Sequence, residues 1–194
     1  PSQMGLEDIA MMRAVAGSVV LYPSDAVCAE RLLEQMVQKR GICFMRTSRP
    51  KTPVIYNNDE QFPIGGAKVL RQADGDKATV VAAGITLFEA LKAADALKGE
   101  GIGITVIDAY SIKPLGKDVI CAAAQKTNNT VLTVEDHYPE GGLGDAVAGE
   151  LSVEGIQVHK LAVMELPRSG KPDQLLARYG INAEAIVKKV KSLG

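Results

Sequence analysis

The sequence has few of the residues that build metal centres or disulfide frameworks, with two histidines and three cysteines among 194 residues. Cys28, Cys43 and Cys121 are widely spaced, odd in number and set within apolar or helical runs. That pattern predicts reduced thiols in a cytoplasmic protein rather than disulfides. The two histidines are far apart in the sequence, which leaves little room for a histidine-based metal site. We therefore expect no metal site in this chain.

The sequence also lacks an excess of charge and a long apolar run. Its formal net charge is -1 and it has no run of Lys and Arg, so nothing indicates a nucleic-acid partner. No apolar stretch approaches the roughly 20 residues that span a bilayer, and no signal peptide is visible. The composition, 46% hydrophobic and 23% charged, is that of a globular protein with one or two cores. Because it begins at Pro1 and runs straight into a helical pattern, we expect a piece of a longer protein.

The first part of the chain has the pattern of a βαβ unit. A short amphipathic helix from Leu6 to Ala14 precedes a buried strand at residues 19–22. Ser24 is the predicted N-cap of a helix over residues 25–39, and Gly41 ends that helix. A second apolar strand follows at residues 42–45. Short connections between strand, helix and strand predict a parallel pair.

Residues 50–66 lose this periodicity and contain prolines, a polar run and Gly65-Gly66, which predicts a linker. A regular pattern resumes at residue 67, and an edge strand is predicted at residues 68–71. Further strands are predicted at residues 78–83, 104–107, 131–134 and 158–163, and helices at residues 85–97, 114–124, 145–151, 172–179 and 182–192. This alternation predicts a second, largely parallel α/β sheet. We thus expect the end of a parallel-sheet domain, then a complete three-layer α/β/α domain with about five strands.

The segment Arg46-Thr47-Ser48-Arg49-Pro50 follows the second apolar strand directly. Ligands bind at the carboxyl ends of strands in open α/β sheets, and a guanidinium there can clamp a phosphate. The alternative is that Arg46 and Arg49 are solvated loop charges or members of a structural ion pair. The local string favours neither interpretation.

Three other motifs have a structural and a functional interpretation. Gly141-Gly142-Leu143-Gly144 could cradle a phosphate, but the acidic residues before it favour a tight packing turn. Glu135-Asp136-His137 could transfer protons, although local hydrogen bonding is favoured. Arg168-Ser169-Gly170-Lys171-Pro172 is similar to an anion-binding loop, with a solvated turn before a helix at Pro172 as the default.

Several strings, in order and over essentially the whole chain, resemble the transketolase family in the branch that contains the animal enzymes. They are Pro1-Ser2-Gln3-Met4, Leu6-Glu7-Asp8, Tyr22-Pro23-Ser24-Asp25, Arg46-Thr47-Ser48-Arg49-Pro50, Ile112-Lys113-Pro114-Leu115, Val134-Glu135-Asp136-His137-Tyr138, Gly141-Gly142-Leu143-Gly144 and Pro167-Arg168-Ser169-Gly170-Lys171-Pro172. No single string is decisive, but their order and spacing make coincidence implausible.

The resemblance implies that residues 1–52 end a thiamine-diphosphate pyrimidine-binding domain, 53–66 are a linker and 67–194 are the C-terminal domain. It implies a cytoplasmic homodimer that moves a two-carbon ketol unit between sugar phosphates with thiamine diphosphate and a divalent cation (Mg or Ca). Gln3 would contact the cofactor, Arg49 would grip the substrate phosphate, and Ser48 is a weaker candidate for the same phosphate. The family's catalytic glutamate and its diphosphate and metal motif are absent, so we expect no catalytic residue in this chain and no activity from it alone.

Two alternatives stay open at this point. Other thiamine-diphosphate enzymes share the architecture: 1-deoxyxylulose-5-phosphate synthase, dihydroxyacetone synthase and the β subunit of 2-oxoacid dehydrogenases. Alternatively, residues 65–194 are a non-catalytic dimerisation or regulatory module, with Glu135-Asp136-His137 and Gly141–Gly144 in an interface or effector pocket.

Overall fold

The computed structural model describes residues 5–49 and 51–193 of the chain. In chain order its elements are α1 (Asp8–Ala14), β1 (Val19–Leu21), α2 (Ala26–Gln38), β2 (Cys43–Met45), β3 (Lys68–Arg71), β4 (Thr79–Ala82), α3 (Ile85–Lys98), β5 (Thr105–Asp108), β6 (Ser111–Lys113), α4 (Lys117–Gln125), β7 (Thr130–Val134), α5 (Leu143–Leu151), β8 (Gln157–Leu161), α6 (Pro172–Arg178) and α7 (Ala183–Ser192). None of the helices in the described residues is both long and apolar enough to span a membrane.

The first sheet contains three strands in the order β2-β1-β6. Strands β1 and β2 are parallel, in a register that pairs Val19 with Cys43 and Leu21 with Met45. Helix α2 connects them, which confirms the predicted parallel βαβ unit. All three residues of β1 are buried, as a continuous apolar run in a parallel sheet requires.

The second sheet contains five strands in the order β3-β5-β4-β7-β8. Four strands are parallel, and β3 pairs antiparallel to β5 as the predicted edge strand. Alternate residues of β4 face opposite cores because side chains along a strand alternate. Val80 packs in the core that contains α3 and α7, and Val81 packs in the core that contains α4 and α5. The predicted α/β fold class, with helices on both faces of a mostly parallel sheet, is confirmed.

The segment between the two sheets, residues 51–67, contains no helix or strand. It packs against both sheets through Tyr56 and Phe62, which are 6% and 0% exposed. Phe62 stacks edge-on with Tyr56, with ring centroids 4.8 Å apart, and with Tyr110 at 5.2 Å. This part of the chain is therefore an ordered connection that contributes aromatic rings to the core.

The structure corrects two local predictions. The helix expected from Pro114 begins at Lys117, and Ser111–Lys113 before it forms an unpredicted strand, β6, antiparallel to β1. Three residues are too few to show an alternating pattern, and β6 takes a strand from the second half of the chain into the first sheet. The N-cap of α2 is Asp25 rather than Ser24, since an Asp25 carboxylate oxygen accepts the Cys28 N–H at 2.8 Å.

Candidate functional site

The carboxyl ends of β1 and β2 lie side by side because the two strands are parallel and in register. Tyr22-Pro23-Ser24 leaves one strand, and Arg46-Thr47-Ser48-Arg49 leaves the other. The arginine segment therefore lies at the sheet edge where α/β proteins bind ligands, as its position in the sequence predicted.

Arg46 is a structural ion-pair residue. Its side chain is 3% exposed, with Nε 3.3 Å from the Asp8 carboxylate and Nη1 3.5 Å from the Asp136 carboxylate. Nη2 also donates to the Asp136 backbone carbonyl at 3.0 Å, and the guanidinium lies 4.9 Å from the centre of the Tyr22 ring. Burial acts to lower the pKa of Arg46, but the charge of Asp136, with smaller contributions from Tyr22 and Asp8, more than offsets it and raises the pKa. Arg46 thus joins α1, the first sheet and the loop after β7.

Arg49 has a different environment three residues later. It is exposed, and Ser48 is half-buried beside it. Within residues 5–49 and 51–193, no hydrogen bond or ion pair engages the Arg49 guanidinium. A fixed strand end with an uncommitted guanidinium is what a phosphate clamp needs. Gln3, the predicted cofactor contact, lies outside the described residues.

Glu135 caps the start of α5. Its carboxylate accepts the backbone N–H groups of Leu143 at 2.6 Å and Gly144 at 3.0 Å. Burial raises the pKa of Glu135 to about 8, although these two hydrogen bonds act in the opposite direction. The carboxylate is 3% exposed and committed to the helix end, which is the structural interpretation that the sequence favoured.

His137 and Asp136 are also held by contacts within the chain. His137 is fully buried, with Nε2 accepting the Ala10 N–H at 3.3 Å and Nδ1 2.6 Å from the Tyr138 carbonyl. Those two contacts define one neutral tautomer, in which Nδ1 carries the proton. Asp136 accepts the Tyr22 hydroxyl at 3.0 Å in addition to its pair with Arg46. Glu135-Asp136-His137 therefore joins α1 and the first sheet to the second sheet.

The Gly141–Gly144 turn is a packing turn. A Cβ on Gly142 would lie 2.0 Å from a carboxylate oxygen of Glu135, so that carboxylate occupies the space a phosphate would need. Arg13 donates to the carbonyl oxygens of Gly141 and Gly142. The turn binds the chain's own Glu135 in place of an external anion.

Two buried acids, Asp108 and Asp25, both accept hydrogen bonds from Tyr56, and the sequence analysis did not identify this cluster. Asp108, at the end of β5, is 0% exposed and accepts the Ser24 hydroxyl at 2.9 Å and the Tyr56 hydroxyl at 2.7 Å. Asp25 accepts the backbone N–H groups of Ile55 and Tyr56. Burial raises the pKa of Asp108 to about 7 against the lowering effect of its two hydroxyl donors. An acid that ends a buried apolar strand was the signal that could have identified it.

A cavity of about 280 Å³ opens between the two sheets. We call it the inter-sheet cavity, and its wall includes Tyr22, Ser48, Arg49, Ile85, Arg168 and Tyr179. Most of the wall is apolar, and three arginines, Arg46, Arg49 and Arg168, also line it. It brings Arg49 close to the Arg168–Pro172 segment, which is 119 residues further along the chain at Arg168.

No group of three or more His, Cys, Asp or Glu side chains suited to a metal ion is found in the part of the chain that the structure describes. These residues do not fit a metal centre. The arrangement is a two-sheet α/β protein with an exposed arginine at a strand end, and the side chains of Glu135, Asp136 and His137 are committed to internal contacts.

Comparison with known proteins identifies this class. Residues 1–54 match the family model of the transketolase pyrimidine binding domain, and residues 65–186 match that of the transketolase C-terminal domain. The chain belongs to the transketolase family. It is 52% identical to the transketolase of Rattus norvegicus and 51% identical to that of Homo sapiens, each over 194 residues. It is 50% identical to transketolase-like protein 1 of Bos taurus over the same length.

The chain covers only part of these proteins. It aligns over its full length but spans 31% of the rat and human transketolases and 33% of the bovine protein. A chain of a split-gene transketolase, described as an inactive β4 tetramer, matches at a TM-score of 0.89 and 34% identity, over 99% of this chain and 62% of that one. The transketolase of Campylobacter jejuni matches at 0.73 and 18% identity over 99% of this chain and 29% of that one, a likeness of fold alone.

Proposed function

We propose that this chain is the C-terminal portion of a transketolase and that Arg49 grips the phosphate of the sugar substrate. In the complete enzyme the reaction is the transfer of a two-carbon ketol unit between sugar phosphates of the pentose phosphate pathway. The observation that carries the proposal is the exposed Arg49 guanidinium at the carboxyl end of β2. Arg46, on the same segment, is committed to Asp8 and Asp136, so Arg49 is the arginine available to a ligand.

The binding energy at Arg49 positions the substrate and performs no bond-making step. The phosphate is remote from the reacting carbonyl, so a planar guanidinium that binds two of its oxygens fixes the sugar's orientation. Ser48, half-buried next to Arg49, has a hydroxyl that can donate to the same phosphate as a weaker contact. The chain's own part in the reaction is therefore binding and orientation.

The cofactors we propose for the complete enzyme are thiamine diphosphate and a divalent cation, Mg²⁺ or Ca²⁺. Thiamine diphosphate supplies the carbanion chemistry when it is bound. Gln3 is the residue of this chain proposed to contact it. The residues for the metal and for the diphosphate would come from the portion of the enzyme outside this chain.

The assembly we propose is a cytoplasmic homodimer in which the remaining domains or a separate subunit complete the site, and this chain alone is inactive. Its support is the 31% share of the rat relative that the chain spans and the free state of Cys28, Cys43 and Cys121, which suits a reducing compartment. Residues 1–52 and 67–194 remain our proposed domains, joined by residues 53–66. The matched ranges, 1–54 and 65–186, fall close to this division.

An assay of the complete enzyme with two substrate pairs tests the reaction. We expect turnover of xylulose 5-phosphate with ribose 5-phosphate, and none by this chain alone because the catalytic groups are elsewhere. Turnover of pyruvate with glyceraldehyde 3-phosphate in place of the sugar pair would contradict the proposal. It would instead assign the enzyme to the 1-deoxyxylulose-5-phosphate synthases.

A further inference from the structure

The wall of the inter-sheet cavity differs in chemistry from a sugar site. Apart from its arginines and a few polar groups, the wall consists of aliphatic and aromatic side chains, among them Ile85, Leu175, Leu176 and Tyr179. A sugar phosphate placed there would leave several hydroxyls without partners, and each unpaired hydroxyl costs free energy. The cavity is therefore suited to a ligand whose body is apolar.

The charge at the cavity is positive. Arg46 and Asp136 also line it, but they pair with each other. Arg168 is exposed at the margin, and no ion pair or side-chain hydrogen bond to its guanidinium is found among residues 5–49 and 51–193. Together with Arg49, this leaves two cationic groups that no acid of the described chain neutralises.

Arg168 is held at the cavity by its own backbone. The Arg168 N–H donates to the Tyr179 hydroxyl at 2.7 Å, and the Tyr179 side chain forms part of the wall. Helix α3 begins at the same wall with Ile85, has no acidic residue in its first turn and has no side-chain cap. The partial positive charge of a helix N-terminus adds to that of the arginines.

We propose that the inter-sheet cavity binds a small amphipathic anion, a carboxylate or phosphate monoester on an aromatic or branched aliphatic body, with Arg168 as the charge partner. The apolar body lies against Leu175, Leu176 and Tyr179, and the anionic group faces the margin. This site goes beyond the proposed transketolase reaction, because its ligand is neither the sugar substrate nor the cofactor. It also gives a function to the Arg168–Pro172 segment, which the sugar-phosphate grip does not use.

Calorimetric titration of the complete enzyme tests the site with four probes: phenyl phosphate, phenylacetate, inorganic phosphate and benzyl alcohol. The first two combine an apolar body with an anion, and the others have one of these features each. We expect at least one of the combined probes to bind roughly tenfold more tightly than inorganic phosphate and benzyl alcohol, since both halves of the site are then used. Whichever of phenyl phosphate and phenylacetate binds more tightly shows whether the site prefers a phosphate or a carboxylate. If neither phenyl phosphate nor phenylacetate binds with a Kd below about 10 mM, the proposal is overturned.

Variants locate the binding. Arg168→Gln should weaken the preferred probe by about tenfold, the usual size of one charge-assisted hydrogen bond. Leu175→Trp, which fills the cavity, should remove binding. Arg71→Gln, at an exposed arginine on the edge strand β3, is the matched control and should leave the affinity unchanged. Circular dichroism of each variant confirms that it is folded.

The outcome for Arg49 separates this proposal from the substrate grip. If the probe is weakened by Arg49→Gln but not by Arg168→Gln, and ribose 5-phosphate displaces it, the probe occupies the phosphate grip and the second site does not exist. If Arg168→Gln weakens the probe while the KM for sugar phosphates is unchanged, the cavity is a separate site. That result holds whether or not Arg49 proves to bind the substrate.

Discussion

Two arginines three residues apart on one strand end have different environments because their neighbours differ. Arg46 is surrounded by Asp8, Asp136 and the face of the Tyr22 ring, so its charge is balanced within the chain. Arg49 is exposed, with no acid paired to it in the described residues. The sequence alone could not tell which of the two arginines is paired. Asp8 and Asp136 are 38 and 90 residues from Arg46, and their proximity to it depends on the fold.

Loss of the Arg46 side chain should destabilise the protein strongly. Arg46→Ala leaves the Asp136 carboxylate with the Tyr22 hydroxyl and without its cation, and breaking a buried ion pair costs about 3–5 kcal/mol. Urea denaturation followed by circular dichroism measures the change. Arg40→Ala, at an exposed arginine before β2, is the control and should stay within about 0.5 kcal/mol of the wild type. Equal stability of the two variants would show that the Arg46 pairs contribute nothing.

Asp108 should make stability fall as pH rises through the acid range. Its pKa is about 7 in the folded chain, compared with about 3.9 in an unfolded one. Between these values the folded chain keeps a proton that the unfolded chain has released. The contribution of this group is fully present below about pH 4 and is lost as pH rises to about 7, with a slope near 1.4 kcal/mol per pH unit.

Asp108→Asn should remove that slope. The comparison is the free energy of unfolding at several pH values, with Asp59→Asn, at an exposed acid of the segment between the sheets, as the control that keeps the wild-type dependence. Glu135 contributes a change of the same sign, because burial raises its pKa to about 8. The residual slope of the Asp108→Asn variant should therefore become shallower when Glu135→Gln is added to it. An unchanged slope after Asp108→Asn would contradict the raised pKa.

At the scale of elements, the glycines of α5 and its turn have opposite roles. Gly142, the N-cap, has no room for a Cβ because the Glu135 carboxylate lies where the Cβ would be. Gly149, inside the same helix, is exposed, and a Cβ added there would meet no other atom within 4 Å. One glycine is required by a close approach, and the other only weakens the helix.

Alanine at these two positions should change stability in opposite directions. Gly142→Ala forces the Glu135 carboxylate away from the helix end and should cost about 1–3 kcal/mol. Gly149→Ala reduces the freedom of the unfolded chain and should add about 0.5–1 kcal/mol. Urea denaturation of the pair measures both changes under identical conditions. A loss of stability in both variants, or in neither, would contradict this description of the turn.

The elements that the sequence predicted well are those with long, regular patterns. The apolar runs at residues 78–83 and 131–134 became the central strands β4 and β7, and the edge position of β3 was also predicted. Strand β6 was missed because three residues carry no periodicity and its partner β1 is about 90 residues away. The predicted N-cap of α2, Ser24, is one residue before the observed one. The Ser24 hydroxyl donates to Asp108 instead, a contact that only the tertiary structure supplies.

At the scale of the whole molecule, the two sheets are joined by polar contacts as well as by apolar packing. Asp108 binds Ser24 and Tyr56, and Asp136 binds Tyr22 and Arg46, so each junction connects a strand end of the second sheet to the first. The general position of the candidate site followed from the order of strands and from the family resemblance. Local patterns do not show that Arg46 is paired and Arg49 is not, because that difference depends on long-range packing. The cavity lined by Arg168 depends on long-range packing in the same way.

The most direct test of this account is the effect of Arg49→Ala on the complete enzyme with phosphorylated and unphosphorylated sugars. Loss of the phosphate contact should lower kcat/KM for the phosphorylated substrates by roughly 10- to 100-fold, mainly through KM, since a charge-assisted hydrogen bond is worth about 1.5–3 kcal/mol. Unphosphorylated sugars should be nearly unaffected, and Arg40→Ala should change neither. An equal loss for both kinds of sugar would contradict the assignment of Arg49 as the phosphate grip.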